Sequence, residues 1–159
     1  MRSRILALAT TVAALAATGF LTASSQASTA TVDLSITGST VAGYTKAQHG
    51  QELPVVFTIR NRSTTTAASI AFYFTLTHAT AAASDYTCPL ITNHYNIDPD
   101  TPACEPGTLG YGRSTSAAIL VTPTIYSGTV TVKACAQDLD GYADPVSSNN
   151  CRTISIAIG

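Results

Sequence analysis

Residues 128–158 read GTVTVKACAQDLDGYADPVSSNNCRTISIAI, and their pattern decides the fold. Val130, Val132, Ala134 and Ala136 alternate with Thr131, Lys133 and Cys135, the period-two signature of a strand with one buried face. A polar loop rich in Asp, Gly and Asn follows. The alternation then resumes, with Arg152, Ile154, Ile156 and Ile158 on one face and Cys151, Thr153, Ser155 and Ala157 on the other. Folding the stretch as an antiparallel hairpin with Cys135 opposite Cys151 sets Val132 against Ile154 and Val130 against Ile156. Both cysteines then project side by side from the outer face. A slip of one residue would destroy that agreement.

Outward from this hairpin, similar patterns recur. Val32, Leu34 and Ile36 alternate with Asp33, Ser35 and Thr37. After a connection over 38–51, Leu53-Pro54 opens a strand with Val55, Phe57 and Ile59 inward and Val56, Thr58 and Arg60 outward. Pro54 suits a strand start or an edge, because it lacks an N–H to donate. Asn61 to Ser69 reads as a polar turn. Ile70, Phe72, Phe74 and Leu76 form the clearest core row, with Ala71, Tyr73 and Thr75 outside. From His78 to Gly112 the pattern dissolves, and the segment reads as irregular. Ser114 to Thr122 is a strand whose inner face Ala118-Ile119-Leu120-Val121 leaves open. With no helical periodicity after the N-terminal segment, the expected fold is an all-β, antiparallel immunoglobulin-like sandwich of about seven strands.

The N-terminus has the anatomy of a secretory signal peptide. Arg2 and Arg4 precede an apolar run from Ile5 to Leu21, and Ser25 and Ala27 are small residues suited to a signal peptidase. Cleavage is expected after Ala27, with Ala23 and Ala30 as alternatives, leaving residues 28–159 as one secreted domain. A membrane anchor is the rival reading, weakened because Thr10, Thr11 and Thr18 interrupt a run barely long enough to span. Of eight Lys and Arg in the chain, six remain in 28–159 against nine Asp and Glu. That balance does not favour nucleic acid or an anionic membrane as partner.

Four cysteines in an exported chain read as two disulfides. The strand faces favour Cys135–Cys151, which leaves Cys88–Cys104. Each bridge would be worth roughly 3 kcal/mol through loop closure. No CxxC or HxxxH spacing supports a metal site in their place.

In chain order, Asp33-Leu34-Ser35-Ile36, Gly50 ahead of Pro54-Val55-Val56-Phe57-Thr58-Ile59-Arg60-Asn61, the Cys88 to Cys104 segment, Gly107-Thr108-Leu109-Gly110, Ser114, Val121-Thr122-Pro123, Gly128-Thr129-Val130, Asp144-Pro145 and Asn149-Asn150-Cys151 form a frame. The frame resembles the immunoglobulin-like repeat modules of bacterial surface and secreted proteins. Two groups fit, the cell-adhesion-related domain (CARDB) and the conserved-repeat domain of unknown function. The resemblance implies a non-enzymatic module for protein or cell-surface interaction, working outside the cell without a cofactor. Those families occur as arrays or appendages, whereas one copy is present here, so a spacer role does not carry over.

Candidate chemical residues are few. His49, His78 and His94 fall in or beside loops, with no carboxylate or nucleophile at a telling spacing. No GxSxG or SxxK motif is present. The residues therefore point away from an enzyme. Asp138, Asp140 and Asp144 are weak calcium candidates in the hairpin loop. The EF-hand pattern fails, because Tyr142 and Asn149 stand where it needs a further ligand and its closing Glu. An Asx-rich turn is the simpler reading. Tyr73, Tyr86, Tyr95, Tyr111, Tyr126 and Tyr142 offer rings for stacking on sugars, but there is no Trp. An alternative function is a small protease inhibitor presenting the 88–104 loop pinned by its disulfide.

Overall fold

The computed structural model describes residues 30–83 and 102–159. Among these residues there are nine strands: β1 (Leu34–Thr40), β2 (Lys46–Ala47), β3 (Leu53–Asn61), β4 (Ala67–Thr77), β5 (Ala79–Ala83), β6 (Ala103–Leu109), β7 (Ser114–Pro123), β8 (Gly128–Asp138) and β9 (Cys151–Ile158). They form two sheets, ordered β1-β3-β7-β5 and β2-β9-β8-β4-β6. The apolar rows of the two sheets face each other. Phe57 of β3 meets Phe74 of β4 across the interior with ring centroids 5.8 Å apart. Leu34, Val55, Ile59, Ile70, Phe72, Ile119, Val132 and Ile156 complete the same core.

The terminal hairpin has the register that its pattern dictates. Val132 pairs with Ile154, Val130 with Ile156 and Cys135 with Cys151, and the two cysteines are bridged. Because twelve residues of polar loop separate β8 from β9, turn geometry alone holds this register weakly. The bridge and the coincident apolar faces hold it instead. Replacing both cysteines by Ser should lower stability by roughly 3 kcal/mol. The loop should become protease-sensitive while the sheets stay folded. Melting curves and limited proteolysis check this.

Several expectations need correction. The strand count is nine rather than about seven, and pairing is not wholly antiparallel, because β2 lies parallel to β9. The 78–112 stretch is not irregular throughout, since β5 and β6 occupy its two ends. Both are edge strands. An edge tolerates what a central strand does not. Pro106 and Gly107 lie within β6, and two register shifts against β4 absorb them. β5 is Ala-rich and gives no alternation to detect. The face of β7 is now clear, with Ala117, Ile119 and Val121 buried.

Ala71 and Tyr73 do point away from the core row, but that face is not bare. Ala71 is fully buried and Tyr73 is half-buried. Tyr73 shares a lateral row with Ala103, Cys135 and Cys151, so the disulfide stands beside it. Of the two expected disulfides, Cys135–Cys151 lies wholly within the described residues, and Cys104 is disulfide-bonded as well. Cys104 is fully buried opposite Phe72, whereas Cys88 lies outside the described residues.

The chain changes sheet at one residue. β4 ends at Thr77 and β5 begins at Ala79 in the other sheet, so His78 makes the crossing. It does so at φ 61, the only positive φ on a non-glycine residue among those described, and its carbonyl accepts the Thr124 N–H at 2.8 Å. Pro54, although in a central strand, sits at its second residue, where β1 has already ended opposite Val55.

Candidate functional site

The outer face of the β1-β3-β7 sheet is built in lateral rows. Ser35 of β1 pairs with Arg60 of β3, and Arg60 with Ser114 of β7. The next row is Thr37, Thr58 and Ser116, in which the Thr58 and Ser116 hydroxyls bond at 2.7 Å. Further along come Val56 and Ala118, then Pro54 and Leu120. The face therefore grades from hydroxyl and guanidinium groups at one end to small apolar groups at the other.

At the polar end lies a groove of about 580 Å³, lined by residues from three segments of the chain. β1 contributes Ser35 and Thr37, β3 contributes Thr58, Arg60 and Asn61, with Arg62 just beyond it, and the β6–β7 turn and β7 contribute Tyr111, Gly112 and Ser114. Gly112 turns at φ 65, a conformation that suits glycine, and Tyr111 beside it is 63% exposed. Arg60, Arg62 and Arg113 are all exposed, and among the described residues none of them forms a salt bridge.

Asn61 holds this corner together. It is completely buried, and its side chain is fully used. Nδ2 donates to the Thr65 carbonyl at 2.7 Å and the Leu109 carbonyl at 3.1 Å. Oδ1 accepts from the Ser63 N–H at 3.1 Å and the Ser63 hydroxyl at 2.7 Å. Its own N–H donates to the Arg113 carbonyl at 3.0 Å. One side chain thus ties the β3–β4 turn to the end of β6. Asp33 lies close by, since its carbonyl accepts the Arg62 N–H at 2.8 Å. Its carboxylate is occupied elsewhere, accepting from Asn149 Nδ2 at 3.0 Å.

The loop aspartates behave as turn-builders. Asp138 Oδ2 accepts the Tyr142 N–H at 3.0 Å. Asp144 accepts the Leu34 N–H at 2.9 Å with Oδ2 and the Val146 N–H at 2.8 Å with Oδ1, which moors the hairpin loop to the start of β1. Among the described residues, no group of three His, Cys, Asp or Glu side chains is disposed to hold a metal ion. Burial, and secondarily the charge of Asp140, raises the Asp138 carboxyl above its ordinary value, although its bonds to backbone N–H groups pull the other way.

A raised carboxyl in the folded state means stability present below the unfolded pKa and lost as pH rises through the folded one. Asp138→Asn should therefore melt higher than the parent at neutral pH, with the gap closing in acid. Melting curves at both pH values check this.

His49 stacks on Tyr126, centroids 3.9 Å apart and planes 12° from parallel, at the opposite pole of the molecule from the arginine groove. The turn carrying Tyr126 also meets His78 through Thr124. Among the described residues, neither histidine hydrogen-bonds a carboxylate. His94, Tyr86, Tyr95 and nearly all of the 88–104 loop lie outside the described residues. Tyr142 and Tyr126 are exposed but apart from the groove, so Tyr111 is the one tyrosine lining it. Sequence reasoning placed Arg60 on an outer face but missed the groove, because only the β1-β3-β7 register brings its segments together.

No family model and no curated protein matches this sequence. Among solved structures, the solution structure of the CARDB domain of PF1109 from Pyrococcus furiosus superposes with a TM-score of 0.58 at 11% identity, covering 80% of this chain and 95% of that one. The crystal structure of the same domain, in complex with di-metal ions, superposes with a TM-score of 0.57 at 11% identity, covering 80% and 94%. At that identity the likeness concerns the fold. This chain has the fold of a CARDB domain.

Proposed function

We propose that the protein is a secreted, non-enzymatic, immunoglobulin-like module that binds a protein or cell-surface component outside the cell. The observation that carries this reading is the arginine groove on a rigid sheet face of a CARDB-like sandwich. Ligand-binding residues mounted on paired strands keep their geometry without an ordering cost on binding. Among the described residues, no helix is long and apolar enough to cross a membrane.

Export rests on the signal-like residues 1–27, with residues 28–159 as the mature domain. Intact mass should correspond to a chain starting at Ser28. A mass retaining residues 1–27 contradicts export with cleavage. The same reading pairs Cys88 with Cys104, and peptide mapping without reduction should recover that pair. No metal belongs to this reading.

Labelled protein, incubated with cell envelope and conditioned medium of the producing organism, should be retained saturably and without change on adding EDTA. Retention that is absent from both fractions overturns the interaction reading.

A further inference from the structure

We infer that the β1-β3-β7 groove binds an anionic polysaccharide, a sugar polymer bearing carboxylate groups. This proposal rests on the interaction-module reading and names its site and ligand chemistry. Three observations converge. The first is charge. Of the six Lys and Arg outside the N-terminal segment, Arg60, Arg62 and Arg113 gather at this one corner. None is in a salt bridge among the described residues, and the nearby Asp33 carboxylate is turned to Asn149. Arginine presents a planar fork matched to a carboxylate.

The second observation is the lining. Ser35, Thr37, Thr58 and Ser114 set short hydroxyls around Arg60. Such groups both donate and accept, as sugar hydroxyls require. Tyr111 adds an exposed ring at the rim. The third is location. The groove lies on the face of the sheet, where β3 is already paired on both sides. An extended peptide gains its affinity by adding main-chain bonds along a strand edge, and the arginine-bearing strand β3 has none, the edge of the sheet on this side being that of β1. A ligand that brings its own hydroxyls and carboxylates fits better than an acidic peptide.

The test uses the full mature chain with polygalacturonate as probe, neutral dextran and poly-glutamate as comparisons, and titration calorimetry as readout. Polygalacturonate should bind saturably, more weakly as salt is raised, and dextran should not bind. The double variant Arg60→Ala/Arg62→Ala should weaken binding at least about tenfold, with an unchanged melting temperature. Arg60→Gln should show a smaller loss in the same direction. Lys133→Ala, on the other sheet, should leave binding unchanged.

No binding of polygalacturonate overturns the proposal. Tighter binding of poly-glutamate assigns the groove to an acidic peptide and also overturns it. So does a loss from Lys133→Ala equal to that of the arginine pair. Envelope retention separates the two levels. If the double variant is retained as well as the parent, the groove proposal falls while the interaction reading stands.

Discussion

Phe72→Ala is expected to lower stability by about 3–5 kcal/mol, the cost of emptying a fully buried aromatic site. Phe72 has no solvent exposure, and its ring lies parallel to that of Phe74 at 6.1 Å. Phe74 in turn meets Phe57 of the opposite sheet, so the cavity opens where the two sheets join. Tyr73→Ala should cost less, about 1–2 kcal/mol. That exceeds what a bare outer face would predict, because Tyr73 is half-buried beside the disulfide.

Its hydroxyl is buried and finds no hydrogen-bond partner among the described residues. Burial, and then the charge of Glu105, raises its ionisation above the ordinary tyrosine value. Tyr73→Phe should therefore be neutral or stabilising, because it removes an unsatisfied polar group. Chemical denaturation of the three variants checks the order. Equal losses for Phe72→Ala and Tyr73→Ala would mean the phase of β4 is wrong.

Asn61→Ala is expected to cost about 2–4 kcal/mol, unusually much for a residue in a polar turn. The substitution removes four side-chain hydrogen bonds and leaves the buried Leu109 carbonyl without that donor. Asn61→Asp should also destabilise at neutral pH, since it replaces the amide donor to two carbonyls with an ionised group that has no access to solvent. Lowering the pH should recover part of that loss for Asp and none for Ala. Because Asn61 anchors the turn beside Arg60 and Arg62, both variants should weaken ligand binding through position rather than charge.

Much of the architecture is legible in the residues themselves. The β8–β9 register follows from two alternating runs and a pair of cysteines, since only one alignment satisfies both. β3 and β4 are legible for the same reason, one inward row in each. The edges are not. β5 is a string of small residues and β6 carries Pro106-Gly107, and both hold their places by pairing with a neighbour rather than by propensity. β7 hid its phase because both faces are apolar, Ala117, Ile119 and Val121 inside and Ala118 and Leu120 on the outer face.

The groove was illegible for a different reason. Ser35, Arg60 and Ser114 are ordinary surface residues until the pairing of three strands sets them in one row. Asn61 likewise reads as turn chemistry, and only its contact with Leu109 across the fold reveals it as a buried clamp.

Backbone amide shift mapping during titration with a short oligogalacturonate tests the central claim most directly. Shifts clustered at Ser35, Thr37, Thr58, Arg60, Arg62 and Ser114, with the β8–β9 hairpin unmoved, are the predicted result. Shifts centred on the His49–Tyr126 pole, or none at saturating ligand, would contradict it.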